Sequence, residues 1–181
     1  MEKSAVVSDA SPLISIACAD GLGWLQQLFH EVLLTPAVAN EILVPGKPAV
    51  AQIEAAIKAG WLRVLEVDPP SLPMLDRYDL DLGEQSAIAA AFHLKPNCLL
   101  IVDELKARMA ARAFGIQFIG TAGLLVEAKE AQLIPSCAAE LEKLVGNGFF
   151  ISHDLADAVL KKSGESLENY PRLAYLLSRR A

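Results

Sequence analysis

The chain is poor in aromatic residues, histidine and cysteine, and each shortage removes a class of chemistry. Of 181 residues only 6% are Phe, Trp or Tyr, while 53% are hydrophobic. The core must therefore be built from Ala, Leu, Ile and Val, which suits buried parallel strands covered by helices. His30, His93 and His153 are scattered, and no HxxxH or HxH pair exists to hold zinc. Cys18, Cys98 and Cys137 are an odd number without metal-type spacing. Cys18 and Cys98 lie in apolar segments and read as small core residues. No GxGxxG follows a strand-like run, so dinucleotide binding is not supported. The DxDxT needed by a haloacid-dehalogenase-type phosphatase does not follow the first strand. No apolar stretch approaches the roughly 20 residues needed to span a bilayer. Met1-Glu2-Lys3-Ser4 lacks a signal-peptide pattern, and the expectation is a soluble, cytoplasmic chain with no membrane role. Excess positive charge is missing too. The net charge of −6 argues against nonspecific coating of nucleic acid, because affinity for phosphate backbones comes mainly from Lys and Arg. A nuclease stays open, since two divalent ions in an acidic cleft offset about four negative charges.

What is present is an alternation of short apolar runs with helical patterns, as in βαβ units. Strands are expected at Ala5 to Asp9, Glu31 to Leu34, Trp61 to Val67, Cys98 to Val102 and Ile116 to Ile119. Ser11-Pro12 and Thr35-Pro36 each read as an N-cap followed by proline at the first helical position. Helices are expected over Leu13 to Cys18, from about Leu22, from Pro36, over Ala49 to Ala59 and over Glu84 to His93. Further helices run from Asp103 to about Phe114, where Gly115 fits a C-cap, then to about Gln132, and from Pro135 to Val145. Ser152 caps a helix to Lys162, and Leu167, Tyr170, Leu173, Leu176 and Leu177 keep near-helical spacing despite Pro171.

Four carboxylates sit where these elements join. Asp9 closes the first apolar run and Asp103 closes Leu99-Leu100-Ile101-Val102. Glu41 follows the second run by a helical turn, and Glu84 opens a helix. A single acid at a helix start has a plain explanation in the helix dipole. Joint placement carries more weight, because carboxyl ends of parallel strands gather around one crevice. Four acids there repel one another, and hard Mg²⁺ or Mn²⁺ is the natural partner. Phosphodiester hydrolysis needs an activated water and a way to absorb charge on the leaving oxygen, which two metals about 3.5–4 Å apart supply. No histidine is placed as a general base.

The runs Val6-Val7-Ser8-Asp9-Ala10-Ser11-Pro12-Leu13-Ile14, Leu34-Thr35-Pro36-Ala37-Val38-Ala39-Asn40-Glu41-Ile42, Leu82-Gly83-Glu84-Gln85-Ser86-Ala87-Ile88 and Leu100-Ile101-Val102-Asp103-Glu104 resemble PIN domains. They are most similar to the PIN-like group of prokaryotic proteins related to VapC-type toxins. The likeness continues through Gly115 to Leu125 and Gly148 to Ser152. It implies a three-layer α/β/α Rossmann-like fold with a parallel sheet of about five strands and extra C-terminal helices. Residues 1–150 would form the PIN-like domain, and 151–181 a helical extension packed on the domain or exchanged between subunits. The resemblance further implies a Mg²⁺- or Mn²⁺-dependent endoribonuclease, the toxin of a toxin–antitoxin module. It would act on single-stranded or loop RNA, bind an antitoxin protein and form a homodimer. The alternative is a non-catalytic PIN-like regulator that binds nucleic acid or protein.

Carried over, Asp9, Glu41, Glu84 and Asp103 are the first to fourth acids, with Glu104 as an alternative fourth ligand. The third is Glu where many PIN nucleases have Asp. Around them, Ser11 reads as an N-cap that also steadies Asp9 or a metal-bound water. Thr121 reads as an N-cap or as part of a phosphate-binding helix start, although Gly120-Thr121-Ala122-Gly123 lacks the lysine and length of a P-loop. Arg108 either positions phosphate or pairs with Glu104 at i+4. Lys106 and Arg112 share its helix. Lys161-Lys162 and Arg179-Arg180 read as solvated surface.

Overall fold

The computed structural model describes residues 5–179. Met1 to Ser4, examined above for a leader, and Arg180 of the last basic pair lie outside the described residues. The described chain falls into two compact units. The first comprises the residues up to Ile14 together with Phe29–Gly120, and the second comprises Ser15–Leu28 together with the chain from Thr121 onward.

The first unit holds strands β1 (Ala5–Ser8), β2 (Val32–Leu34), β3 (Leu62–Val64), β4 (Cys98–Ile101) and β5 (Gln117–Ile119). They form one five-stranded, all-parallel sheet in the order β3-β2-β1-β4-β5. The α/β class and the parallel sheet of five agree with the expectation from sequence. The strands are shorter than the apolar runs that announced them, since Asp9, Val102 and the stretch beyond Val64 have already left the ladder. Val7, Val32, Leu34 and Leu100 are wholly buried, as aliphatic strands covered by helices should be.

Between the strands run α3 (Pro36–Ile42), α4 (Val50–Lys58), α5 (Leu82–Leu94) and α6 (Leu105–Ala113). Thr35 caps α3 by accepting from the Val38 N–H at 3.3 Å, with Pro36 at the first turn, as the sequence indicated. Helix α5 packs on β1 and β4, and α3 packs on α5. Its Ala87 to Ala91 run is buried, so small side chains let the helix approach the sheet closely. A 3-10 helix (Pro73–Tyr78) occupies the stretch expected to be loop. Gly115, at φ 66°, takes the left-handed conformation that ends α6, which a Cβ would oppose. Lys95 and Pro96 are joined by a cis peptide bond.

Helix α1 (Ala10–Cys18) begins earlier than the Leu13 start expected from sequence, because the carboxylate of Asp9 accepts the Ala10 N–H at its first turn. Ser11 thus lies inside that turn and is exposed, and the N-cap role read for it is not what the structure shows.

The second unit contains α2 (Leu22–Phe29), α7 (Thr121–Glu130), α8 (Cys137–Gly146), α9 (His153–Lys162) and α10 (Pro171–Ser178). Helix α7 packs on α8 and α9, and α10 packs on α8. Ser136, one residue past the expected Pro135 start, caps α8 by accepting from the Ala139 N–H. Glu165 completes that cap from 28 residues away, accepting from Cys137 N at 2.9 Å, Ala138 N at 3.0 Å and Ser136 Oγ at 2.8 Å. Lys129 lies 3.5 Å from the same carboxylate. Pro171 does not interrupt the tail helix but opens it, and Leu173 and Leu177 are buried. No helix among the described residues is long and apolar enough to cross a membrane.

Candidate active site

The strand order fixes where a crevice can form. From β1 the chain steps outward through β2 to β3, then returns to β4 beside β1 and proceeds to β5. The connections on either side of the β1–β4 pair therefore run in opposite directions, which opens a crevice at the carboxyl ends of those two strands. Ser8 pairs with Ile101, and the Asp9 N–H donates to the Ile101 carbonyl at 3.0 Å. Asp9 and Asp103 thus leave the two switch-point strands within about a residue of each other.

Asp9 is 2% exposed. Burial pushes its carboxyl up to about 7, against a bond from the Ala10 N–H that favours the charged form. Glu84, Asp81 and Glu41 add to the rise by repulsion. Glu84 is also buried, and desolvation raises its carboxyl as well, with Asp81, Glu104 and Glu41 as repelling neighbours. Glu41 is half-buried and raised by desolvation and by Asp81, while Lys47 acts in the other sense. Three of the four acids proposed from sequence, Asp9, Glu41 and Glu84, therefore share one electrostatic neighbourhood.

Asp103 is half-buried just beyond β4, while Glu104 is the exposed N-cap residue of α6 and lies in the field of Glu84. A Cβ built on Gly120 would stand 2.8 Å from Asp103 Oδ1 and 3.4 Å from the Val102 carbonyl. The backbone of Gly120 is in effect a seat for the Asp103 carboxylate. A second glycine does the same for Glu41. A Cβ on Gly83 would lie 2.6 Å from Glu41 Oε2.

Asp81 is the residue that reading the sequence missed. It caps α5 reciprocally, its Oδ1 accepting from Glu84 N at 2.8 Å while its own N–H donates to Glu84 Oε2 at 2.9 Å. The signal was the D-x-x-E spacing of a capping box, hidden because the helix had been started at Glu84 and not at Leu82. The pair of bonds fixes one oxygen of Glu84 and holds a fifth carboxylate in the cluster.

The basic residues distribute differently. Arg108 and Arg112 lie over the Phe118 ring, at 5.6 and 5.8 Å, and Lys106 pairs with Asp79 at 2.6 Å. Arg108 therefore stacks on Phe118 beside the sheet edge, in place of the ion pair with Glu104 considered from sequence. Thr121 falls in the second unit, wholly buried as the first residue of α7.

An open hollow of about 610 Å³ adjoins the acids on the α3–α5 side, with Glu41, Asp81 and Gly83 in its lining. The donors of the cluster are all carboxylate oxygens, the set that hard divalent ions prefer. Among the described residues no three His, Cys, Asp or Glu side chains already converge tightly enough to enclose an ion. The fit is thus one of donor chemistry and of an uncompensated buried charge, and it requires the half-buried carboxylates to turn inward on binding.

Acids gathered at the switch point of an open parallel sheet define a class, that of α/β proteins with an acidic, phosphate-ester-handling crevice. The chain belongs to the PIN domain family, which it matches over residues 5–165. PIN domains are generally nucleases and typically use divalent metals. No curated protein matches the chain.

Proposed function

We propose that this protein is a Mg²⁺- or Mn²⁺-dependent endoribonuclease that cuts single-stranded or loop RNA in the cytoplasm, as the toxin of a toxin–antitoxin module. The observation that carries the reading is Asp9: a carboxylate buried at the switch point, with two further acids of the proposed set close enough to raise it. A buried acid so placed is a liability to the fold unless a cation or proton relieves it. Asp9, Glu41, Glu84 and Asp103 would hold the metal, with Glu104 as the outer alternative to Asp103. The ion when bound supplies Lewis acidity toward a phosphoryl oxygen and lowers the pKa of a water.

The protein's own residues supply placement. Asp9 ends the central strand rigidly, because its N–H is tied to β4. Asp81 fixes Glu84 through the reciprocal cap. Gly83 and Gly120 let Glu41 and Asp103 lie against backbone. Ser11, exposed in the first turn of α1, is placed to steady the Asp9 end of the crevice, and Arg108 to meet phosphate. Homodimerisation and an antitoxin partner belong to the same proposal. Leu105 and Met109, 69% and 57% exposed on one face of α6, offer apolar surface for such contacts.

A second reading, a PIN-like binding protein without catalysis, draws support from the open spacing of the acids. Cleavage of a labelled single-stranded RNA separates the two. The nuclease reading expects cutting in Mn²⁺ that is lost with EDTA and with Asp9→Asn or Asp103→Asn. Cutting that survives both substitutions belongs to a contaminant or another site, and would sink it.

A further inference from the structure

The hollow beside the acids has a composition at odds with its position. It opens at Glu41 and Asp81, yet its walls are mostly apolar, formed by Leu80, Leu82 and Ala37, and Asn40 is its one neutral amide. Leu82 is 78% exposed although it opens a helix in the middle of the unit. A second apolar hollow, of about 270 Å³, lies on its other side, between α5 and the 68–72 loop, and Leu82 and Ala37 line both. Leu82 is thus an apolar ridge left bare on two sides, immediately next to the carboxylates.

Resting on the nuclease reading above, we propose that the acid-side hollow is a subsite for one unpaired nucleobase next to the scissile phosphate, with Leu82 as the surface on which the base lies. The argument is one of charge and continuity. Phosphate cannot occupy this hollow, because Glu41 and Asp81 on its rim repel an anion. A flat, neutral ring with an apolar face and a polar edge suits apolar walls with carboxylates and an amide at the border. Unstacked bases are commonly read in this way, by apolar or aromatic contact on the face and hydrogen bonds at the edge. The edge chemistry also selects. Carboxylates only accept hydrogen bonds, so they favour an exocyclic amine, as on cytosine N4 or adenine N6. Uracil turns a carbonyl oxygen toward the same rim and is disfavoured. Asn40, with both donor and acceptor, matches the neighbouring ring nitrogen of an amine-bearing base.

The test uses the full chain and fluorescein-labelled hexaribonucleotides of A, C or U. Binding is followed by anisotropy with Ca²⁺ in place of the active metal, and cleavage is followed separately in Mn²⁺. The A and C strands should bind several-fold more tightly than U. Leu82→Ala should weaken A and C by about fivefold or more, the range seen when a base loses its stacking partner. Asn40→Ala should flatten the preference against U. Both variants should keep the rise in Tm that Mn²⁺ gives the unaltered protein, because neither carries a carboxylate. If the protein cleaves RNA but U binds as well as A and C, and Leu82→Ala changes nothing, the subsite is refuted while the nuclease reading stands. If binding responds to Leu82→Ala and to base identity but no strand is cut, the subsite stands and the nuclease reading fails. Absence of both binding preference and cleavage refutes both.

Discussion

Replacing Asp9 with Asn should stabilise the protein and disable it together. The carboxyl is raised from 3.8 to about 7, chiefly by burial. Three units at about 1.36 kcal/mol each give roughly 4 kcal/mol of differential interaction between charged and neutral forms. The sign follows from proton uptake. Between pH 4 and 7 the folded chain holds this proton and the unfolded chain has released it, so stability falls as pH rises through that window. Above pH 7 the whole penalty is present, and below pH 4 it is absent. Asn keeps an acceptor for the Ala10 N–H but carries no charge, so at pH 8 Asp9→Asn should gain up to about 4 kcal/mol. For a chain of this size that corresponds to roughly 8–16 °C in Tm. At pH 4 the two proteins should melt alike. Saturating Mn²⁺ at pH 8 should raise the unaltered protein by mass action, about 2.7 kcal/mol at a hundred times Kd, and raise the variant much less. Thermal melts at pH 4 and pH 8, with EDTA or Mn²⁺, measure all four quantities. Parallel melting of the two proteins across this pH range would refute the account of Asp9 as an uncompensated buried charge.

Other substitutions separate roles within the site. Asp103→Asn should lower cleavage by a hundredfold or more while Glu104→Gln costs far less, and the reverse ranking in a steady-state assay would move the fourth ligand to the exposed residue. Gly83→Ala should leave melting unchanged or raised, since alanine favours a helix by up to about 1 kcal/mol. It should nevertheless lose about two orders of magnitude in rate, because its methyl displaces Glu41 and small misplacements weigh heavily in catalysis. A variant as active as the parent would show that Glu41 is not needed where it stands. Glu165→Gln tests the second unit. Burial acts to raise Glu165, but bonds from Ala138, Ser136 and Cys137 and the nearby Lys129 together hold it low. Its charge therefore stabilises above the usual glutamate range, and the benefit is lost as pH falls through the lowered value. The variant should melt earlier at pH 7, by about 1–3 kcal/mol, and converge with the parent in acid. Light scattering should return twice the 19.4 kDa chain mass, and a monomer at all concentrations would remove the dimer from the proposal.

Much of this was visible in the residues because the chain places its signals locally. Val6-Val7 before Asp9 and Leu100-Ile101 before Asp103 announce strands that end in acids, and Thr35-Pro36 announces the helix that carries Glu41. Asp81 escaped because its importance lies in a reciprocal bond with Glu84, and starting α5 two residues late left it in a loop. Gly83 and Gly120 escaped for another reason. Nothing near either in sequence says that a carboxylate from a different segment will rest against it. The tail was misread through Pro171, which can break a helix or begin one, and only the buried Leu173 and Leu177 decide which. Arg108 was weighed against Glu104 on its own helix, whereas its ring partner Phe118 comes from β5.

The interleaved course of the chain has a consequence for its synthesis. Ser15–Leu28 shares a compact unit with residues from Thr121 onward, and 92 residues, 29 to 120, are made in between. At about 5–20 residues per second the ribosome needs roughly 5–20 s to bridge that gap. Throughout it α2, which buries Trp24 and Leu25 in the finished protein, is outside the ribosome without the helices of its own unit. A nascent chain arrested before Thr121 should therefore present that apolar face to chaperones, and one released after α8 and Glu165 have emerged should not.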